Sequence, residues 1–289
     1  MKTKGFIGLG VMGFPMAGHI SKAYPTQVYN RTLSKAKDWV DLYSGTIALS
    51  PEEMGNACEE IFMCIGNDDD VREVVSGEKG LLKSLKSGSI IVDHTTTSAK
   101  LSREMSDFCS EKGVHYIDAP VSGGQAGADN GSLTIMAGGR EDPFNIACET
   151  MSCYSKFYKL MGPSGSGQLT KMVNQICIAG LVQGLAEGIN FSQKAGLDVS
   201  SVIEVISKGA AQSWQMENRW ETMTQDQYDH GFAVDHMRKD LKLTIEEAHK
   251  QGAIVEITEL IDGYYRDIQD MGGNRWDTSS LLKRLQDND

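Results

Sequence analysis

Gly8, Gly10 and Gly13 stand in the spacing G-x-G-x-x-G between a short apolar run and a helix-like segment. The run KGFIGL, residues 4–9, predicts a buried strand, and residues 14–23 predict a helix. In such a unit the first glycine permits a tight turn, the second lets a pyrophosphate approach the backbone, and the third lets the helix pack against the strand. The motif therefore predicts a Rossmann-type dinucleotide site, with N–H groups at the helix N-terminus facing the phosphates. The predicted cofactor contacts are Gly8, Gly10, Val11, Met12 and Gly13.

Apolar runs continue to alternate with helix-like segments as far as about residue 160. The further predicted strands are residues 26–29, 61–65, 89–93, 114–118, 133–137 and 156–160, and the predicted helices between them are 34–43, with Ser34 as N-cap, 69–75 and 98–112. This alternation favours βαβ units and a mainly parallel sheet. The last strands leave little room for crossover helices, so we expect them to extend the sheet in a mixed or antiparallel way.

The pattern changes after GPSGSG, residues 162–167. Residues 167–194 lack proline and carry apolar side chains at helical spacing, which predicts a buried helix of roughly 40 Å. Further helices are predicted at residues 199–207, 214–223, 235–251 and 254–270. The predicted fold is therefore an α/β Rossmann-type N-terminal domain, residues 1–162, plus an all-α C-terminal domain, residues 163–289, joined by a long helix.

Composition narrows the range of partners and locations. The net charge of −11 argues against nucleic acid as a main partner, although a local basic pocket can still bind a small anion. No secretory signal and no uninterrupted 18-residue apolar stretch stand out, so we predict a cytoplasmic protein without a membrane span. The six cysteines form no C-x-x-C pair and stand near no histidine cluster, which favours reduced thiols and no metal site.

The segment Asn30-Arg31-Thr32 follows the second predicted strand, where an acidic residue would read the ribose of NAD. No carboxylate stands there. Arg31 can instead pair with a 2′-phosphate, and Thr32 can donate a hydrogen bond to it. The segment therefore favours NADP(H), while NAD(H) stays possible if Arg31 is only a surface charge.

Lys171, Asn174 and Gln175 lie at positions i, i+3 and i+4 of the long predicted helix, on one face near its N-terminal end. Oxidation of an alcohol needs a base for the hydroxyl proton, and the reverse reaction needs an acid. A lysine serves either role if burial, the helix dipole or a nearby cation such as Lys239 lowers its pKa. The alternative is that Lys171 extends its ammonium group to solvent.

Two loops at predicted strand ends carry polar groups. Residues 94–98 follow one strand, and Ser122-Gly123-Gly124 follows another. In a doubly wound sheet, ligands bind beyond the carboxyl ends of the strands. The Ser122 loop offers a hydroxyl and backbone N–H groups that suit a carboxylate, although either loop alone fits a plain turn with a helix cap.

Taken together, these segments resemble the β-hydroxyacid dehydrogenase family, which includes 3-hydroxyisobutyrate dehydrogenase, tartronate semialdehyde reductase and glyoxylate/succinic semialdehyde reductase. The matching stretches are GFIGLGVMGFPM (5–16), NRT (30–32), DHTTTS (93–98), DAPVSGG (118–124), GSGQLTKMVNQ (165–175) and KDL (239–241). The resemblance implies a Rossmann domain plus a helical domain, action on small acids that bear a hydroxyl or aldehyde near a carboxylate, and homodimers or homotetramers.

The resemblance also implies residue roles. Lys171 would be the catalytic acid/base and Asn174 its partner. The implied substrate contacts are Ser122, Gly123 and Gly124 for the carboxylate, Thr96 beside substrate and nicotinamide, Phe232 as a pocket wall and Asp240 as a supporting group; the implied cofactor contacts add Asn30, Arg31, Thr32 and Lys239. The NRT segment resembles the NADP-using members.

The chain departs from the family pattern at two places. Gln175 stands where many relatives carry a second asparagine, a change that we expect to be tolerated because either amide donates and accepts. Residues 210–216 match less easily, and we expect them near the pocket, with ordinary helix packing as the alternative for Trp214.

Several functions stay open at this point. The first is an NADP-preferring 3-hydroxyacid dehydrogenase of the 3-hydroxyisobutyrate type, and the second is the reductive enzyme acting on succinic semialdehyde or glyoxylate. An imine reductase shares the architecture, but Lys171 speaks against it. A non-catalytic cofactor-binding module is disfavoured by the intact Lys171–Asn174 pair. A 6-phosphogluconate dehydrogenase is disfavoured by the short helical domain.

Overall fold

The structure is a computed structural model that describes residues 2–287. The chain divides into two compact units, Met1–Lys171 and Met172–Asp289. This division falls inside the long helix, whereas the sequence analysis places the domain boundary between residues 162 and 163. Each unit is described by itself below.

The first unit is built on a six-stranded parallel sheet with the strand order β3-β2-β1-β4-β5-β6. The strands are β1 Lys4–Ile7, β2 Thr26–Tyr29, β3 Thr46–Ile47, β4 Glu60–Met63, β5 Ile90–Asp93 and β6 His115–Asp118. The strand register aligns the last residues of five strands, Ile7, Tyr29, Met63, Asp93 and Asp118. Their following loops therefore leave the same edge of the sheet, which is where a doubly wound fold binds ligands.

Side chains alternate between the two faces of this sheet, as strand geometry requires. Phe6 and Phe62 pack into one buried apolar cluster, and the adjacent Ile7, Ile61 and Met63 pack into a second. The α-helices between the strands of this unit are α1 Gly13–Ser21, α2 Leu33–Leu42, α3 Pro51–Ala57, α4 Asp68–Ser76, α5 Ala99–Glu111, α6 Gly124–Asp129 and α7 Glu141–Met151. Burial on both faces explains why the central strands β4 and β5 consist mostly of Ile, Val, Phe and Met.

The last strands of the first unit form a separate three-stranded sheet, with β7 Val121–Ser122, β8 Leu133–Ala137 and β9 Ser155–Leu160 in that order. Strand β7 pairs antiparallel with β8, and β8 pairs parallel with β9. The expected mixed pairing is observed, but in a separate sheet: the expected extension of the main sheet is limited to one antiparallel bridge between Asp118 and Gly138. Helix α7 provides the crossover that the sequence analysis considered too long for the available residues.

Helix α2 starts one residue earlier than predicted. Its N-cap position is Thr32, which makes no side-chain capping bond, and Ser34 lies inside the first turn. The assignment of Ser34 as N-cap is therefore wrong. The chain leaves the extended conformation immediately after the Asn30-Arg31-Thr32 segment, so this segment forms the whole β2–α2 connection.

Helix α8, Ser166–Lys194, begins in the first unit and continues into the second. The second unit then adds α9 Val199–Ile206, α10 Trp214–Thr224, α11 Val234–Gln251, α12 Glu256–Asp270 and α13 Leu281–Asp287. Its core includes Val182 and Ile189 of α8 together with Leu241 of α11 and Tyr265 of α12. By length and composition alone α8 would reach across a membrane, a property that it shares with the core helices of soluble proteins.

Candidate active site at the strand ends

The glycine turn after β1 has the backbone geometry that its spacing predicts. Gly8 has φ +94°, and a β-carbon on it would lie 2.2 Å from the carbonyl oxygen of Cys64. A β-carbon on Gly13 would lie 1.9 Å from the carbonyl oxygen of Gly8, which shows how closely α1 packs on the turn. A β-carbon on Gly10, in contrast, would meet nothing within 4 Å. The turn thus leaves open space at the position where a pyrophosphate approaches the backbone, and it fits a dinucleotide.

Asn30 joins the end of β2 to the glycine turn. Its side-chain oxygen Oδ1 accepts a hydrogen bond from the backbone N–H of Leu9 at 2.9 Å, and its Nδ2 donates to the carbonyl of Thr32 at 2.9 Å. Both ends of this amide are therefore engaged with the backbone. The observed role of Asn30 is to hold the turn against the β2–α2 connection.

Arg31 pairs with a carboxylate that the sequence analysis did not foresee. Its Nη1 lies 3.0 Å from Oδ1 of Asp70, and the Arg31 side chain is 85% exposed. Asp70 belongs to α4, and its other oxygen covers Gly66, where a β-carbon would lie 2.2 Å from Oδ2. The end of β2 itself lacks an acidic residue, but the fold brings one to Arg31 from 39 residues away in sequence.

Gln168, in the first turn of α8, holds the loop that contains Thr96. Its Nε2 donates to the carbonyl of Thr95 at 2.7 Å, and its Oε1 accepts from the N–H of Thr97 at 3.0 Å. Thr95 and Thr97 are buried, and Thr96 between them is partly exposed. The glutamine therefore fixes the backbone on both sides of Thr96.

Asp118, the last residue of β6, caps the start of α8. Its two oxygens accept hydrogen bonds from the N–H of Gly165 at 2.8 Å and of Gln168 at 3.0 Å. Burial raises the pKa of Asp118 to about 7, although the two N–H donors act in the opposite direction. Lys171 follows one turn after Gln168, and its residue surface is only 7% exposed. The amine thus belongs to a helix whose first turn is bonded to two loops at the strand ends.

The buried neighbours of this loop are structural. Asp93 accepts hydrogen bonds from Tyr116 Oη at 2.6 Å and from the N–H of Thr95 at 2.8 Å, and burial raises its pKa to about 6. His94 donates from Nδ1 to the carbonyl of Ala119 at 2.7 Å and accepts from Tyr154 Oη at 2.9 Å. Burial lowers the pKa of His94 to about 4, so its ring stays neutral near pH 7.

Ser122 ends β7, and two glycines follow it with positive φ, +132° at Gly123 and +61° at Gly124. Only glycine adopts such consecutive angles without strain. A β-carbon on Gly124 would meet nothing within 4 Å, so the chain is open there. The Ser-Gly-Gly sequence is therefore explained by the sharp turn from β7 into α6.

In the second unit, Gln175 is the centre of a buried polar group. It is 1% exposed, and its Nε2 donates to Oδ2 of Asp240 at 2.7 Å. Its Oε1 accepts from Nδ2 of Asn174 at 2.8 Å. The Lys239 ammonium lies 3.4 Å from Oδ1 of Asp240. Gln175 is thus more than a tolerated replacement for asparagine, because it has two specific hydrogen-bond partners.

Phe232 and Trp214 differ in their surroundings. Phe232 precedes α11, packs partly buried against the core of the second unit, and its ring centroid lies 5.9 Å from that of His236. Trp214 opens α10 and is about half exposed, with the Arg219 guanidinium 4.9 Å from its ring centroid. Core packing therefore does not account for Trp214.

Sequence reasoning missed Asp118, Gln168 and Asp70. The first two lie inside the stretches DAPVSGG and GSGQLTKMVNQ that carry the family resemblance, so a signal was present without a role attached to it. Asp70 stands in the acidic run Asp68–Asp70, which resembles an ordinary negatively charged first turn of a helix. Its proximity to Arg31 required the fold.

The parallel sheet, the glycine turn and the long helix define the class: a Rossmann-type dinucleotide-binding protein with a helical C-terminal unit. Residues 3–162 match the family model described as the NAD-binding domain of 6-phosphogluconate dehydrogenase. Residues 165–285 match the model described as the NAD-binding domain of NADP-dependent 3-hydroxyisobutyrate dehydrogenase. The chain belongs to the β-hydroxyacid dehydrogenase family and is an oxidoreductase of that family.

Individual proteins agree with this assignment. The chain is 55% identical over 287 residues to an uncharacterized oxidoreductase of Shewanella frigidimarina, covering 99% of each. It is 38% identical over 284 residues to a probable 3-hydroxyisobutyrate dehydrogenase-like protein of Arabidopsis thaliana, covering 98% of this chain and 84% of that protein. In fold it is similar to a solved 3-hydroxyisobutyrate dehydrogenase of Mycobacterium tuberculosis, with a TM-score of 0.89, 23% identity and 99% of each chain covered.

Proposed function

We propose that this protein interconverts a small 3-hydroxyacid and its semialdehyde, prefers NADP(H), and uses Lys171 as the general acid/base. The observation that carries the proposal is the placement of a buried lysine one turn after Gln168, which itself holds the Thr96 loop. Burying an amine costs free energy, which supports a chemical role for this lysine rather than that of an ordinary surface charge.

The proposed division of labour is simple. A bound nicotinamide dinucleotide supplies the two-electron oxidation or reduction at the carbon that bears the oxygen. Lys171 accepts the hydroxyl proton when the alcohol is oxidised and returns a proton to the oxygen when the aldehyde is reduced. Asp118 and Gln168 keep the first turn of α8, and with it the lysine backbone, in a fixed position against the strand ends.

A carboxylate is the proposed handle on the substrate. The Ser122 hydroxyl and the N–H groups of Gly123 and Gly124 are suited to donate hydrogen bonds to it. The positive φ values of both glycines give this segment a fixed turn, so these donors need little rearrangement on binding. Thr96, held on both sides by Gln168, is the proposed neighbour of substrate and nicotinamide.

Arg31 supports the proposed preference for NADP(H). Its guanidinium is highly exposed and its partner Asp70 is a surface carboxylate, so it can turn toward a 2′-phosphate at small cost. Thr32 adds a hydroxyl that is not used to cap α2.

A Lys171→Met variant tests the assignment of the base. Loss of a general acid/base typically lowers turnover by about 10²- to 10⁴-fold, and we expect a loss of this order with NADP(H) binding retained. Lys194→Met, an exposed lysine at the far end of the same helix, is the matched control and should keep wild-type turnover. Unchanged turnover in Lys171→Met would remove this residue from the mechanism.

The substrate itself is best found with a panel of small hydroxyacids and semialdehydes, including 3-hydroxyisobutyrate, succinic semialdehyde and glyoxylate, each assayed with both cofactors. We expect turnover only with compounds that carry a carboxylate close to the reacting carbon. Equal turnover of the corresponding compounds without a carboxylate would contradict the proposed role of the Ser122 loop.

A further inference from the structure

Three side chains of the second unit form a hydrogen-bonded line that the proposed reaction does not yet use. It runs from Asp240 on α11 to Gln175 and then to Asn174 on α8, with separations of 2.7 Å and 2.8 Å. Asp240 is 2% exposed and Gln175 is 1% exposed, so burial keeps water from the bond between them, whereas Asn174 at the other end is partly exposed. The thioether of Met237 lies 3.9 Å from the Gln175 amide nitrogen and completes the packing around it.

The chemistry of these groups gives the line a direction. A carboxylate accepts hydrogen bonds and does not donate them, so Gln175 must present its NH₂ group to Asp240. Its carbonyl oxygen then faces Asn174, and Asn174 must present its own NH₂ group to that oxygen. A single buried charge therefore fixes the orientation of two successive amides, and the Asn174 oxygen is directed away from Gln175.

We propose that Gln175 is a positioning residue: its hydrogen bonds to Asp240 and Asn174 set the orientation of the Asn174 amide in the reaction site. This inference rests on the proposed function and on the role that the family resemblance implies for Asn174, as the partner of Lys171 in the reaction site. An asparagine side chain without such a partner could adopt either amide orientation. In one of the two orientations its donor would face a donor of the substrate, or its acceptor an acceptor.

The length of the side chain at position 175 matters for this positioning role. Gln175 spans from α8 to a carboxylate on α11 while its oxygen stays within 2.8 Å of the preceding residue. The expectation that an asparagine and a glutamine are equivalent here considered only their hydrogen-bonding capacity. The distances show that reach matters as well, because a side chain shorter by one methylene would leave Asp240 buried without this donor.

A variant pair tests the direction of the line. In Gln175→Glu, two carboxylates face one another and the donor to Asp240 is lost. In the double variant Gln175→Glu/Asp240→Asn, the new amide at position 240 can donate to the new carboxylate, which still accepts from Asn174. The total charge of the double variant equals that of the wild type, and the orientation of Asn174 is kept.

We expect Gln175→Glu to raise the KM for substrate by about tenfold or more, the scale of one lost buried hydrogen bond, with a smaller change in kcat. The Kd for NADP(H) should stay unchanged. The double variant should recover most of the lost substrate affinity. Gln175→Met keeps the packing beside Met237 without either polar contact, and it should raise KM as well even if Gln175→Glu does not fold.

Asn174→Ala separates failure of this inference from failure of the proposed function. If Asn174→Ala keeps the wild-type KM, Asn174 is not in the site and the proposed function fails at this residue. If Asn174→Ala raises KM while Gln175→Met keeps the wild-type value, only the positioning role is overturned. A double variant that folds, judged by circular dichroism, but stays as impaired as Gln175→Glu would also overturn it.

Discussion

Arg31 is the residue most directly linked to the choice between NADP(H) and NAD(H). Its ion pair with Asp70 has two opposite effects on that choice. An exposed ion pair with Asp70 at 3.0 Å contributes little to stability, so the guanidinium can change partners when an anion arrives. The same carboxylate, however, would lie close to a 2′-phosphate that Arg31 binds, and like charges repel. Asp70 therefore opposes the preference that Arg31 supports, and the balance of the two sets the discrimination.

Two substitutions separate these effects. Arg31→Ala should raise the KM for NADP(H) by about 10- to 100-fold, the scale of charge-assisted hydrogen bonds, and leave the KM for NAD(H) nearly unchanged. Asp70→Asn should act in the opposite direction and lower the KM for NADP(H) by a few-fold, because it removes both a competing partner and a repelling charge. The measurement is the ratio of kcat/KM for the two cofactors in each variant.

A sharp preference of the wild type for NAD(H) would contradict the role given to Arg31. An equal effect of Arg31→Ala on both cofactors would do the same. The hydrogen bond from the Leu9 N–H to the Asn30 amide oxygen holds the glycine turn. It should therefore contribute equally to the binding of NADP(H) and of NAD(H).

At the scale of single elements, the start of α8 is tightly packed against the strand ends of the first unit. A β-carbon on Gly167 would lie 2.4 Å from the carbonyl oxygen of Met136 and 2.6 Å from that of Asp118. Both obstacles are backbone atoms of strands, which cannot move without disturbing their sheets. Glycine at this position lets the helix approach the strand ends closely enough for Asp118 to cap it.

We predict that Gly167→Ala destabilises the protein by several kcal/mol and lowers turnover, because α8 must withdraw from the strand ends and carry Lys171 with it. Gly180→Ala is the matched control on the same helix, since a β-carbon there meets nothing within 4 Å. Because alanine has a higher helix propensity than glycine, the free energy of unfolding of this control should rise by about 0.5–1 kcal/mol. Urea unfolding followed by circular dichroism measures both, and equal stabilities would contradict the close packing inferred for Gly167.

Helices and strands with a clear apolar periodicity were predicted accurately from the sequence. Strands β2 and β8 were predicted at their observed bounds, and the long helix within one residue at its start. Helix α7 was missed although Phe144, Ala147 and Met151 have helical spacing. The interval from β8 to β9 was judged too short for a crossover, but an 11-residue helix is only about 16 Å long, the length of a five-residue strand.

Some residues of the candidate site belong to short sequence motifs, whereas others are brought together from distant parts of the chain. The glycine turn, Lys171 and the Ser122 loop were proposed as site residues from local sequence signals. The bonds from Asp118 to Gly165 and Gln168 join residues 47 and 50 positions apart, and the bond from Gln175 to Asp240 spans 65. No periodicity or spacing reports such contacts. The cytoplasmic location and the homodimer or homotetramer stay predictions from the sequence.

At the scale of the whole molecule, the described carboxyl groups whose pKa is raised by burial lie at the strand ends of the first unit. Asp93 and Asp118 are fully buried on neighbouring strands, and burial raises the pKa of Asp93 to about 6 and of Asp118 to about 7. In the unfolded chain both would titrate near their ordinary values of about 4. Between these limits the folded state holds protons that the unfolded state has lost, so stability falls as the pH rises.

This linkage gives a prediction with a definite sign for Asp118. Its contribution to stability is fully present below about pH 4 and is lost as the pH rises through about 7. The difference in unfolding free energy between wild type and Asp118→Asn should therefore shift against the wild type by about 2–3 kcal/mol between pH 5 and pH 8. Asp93 is present in both proteins, and its own titration largely cancels in the difference. Urea unfolding at several pH values gives the result. A difference that stays constant from pH 5 to pH 8 would instead mean that the N–H groups of Gly165 and Gln168 keep the carboxylate ionised throughout, and that the helix cap outweighs the cost of burial.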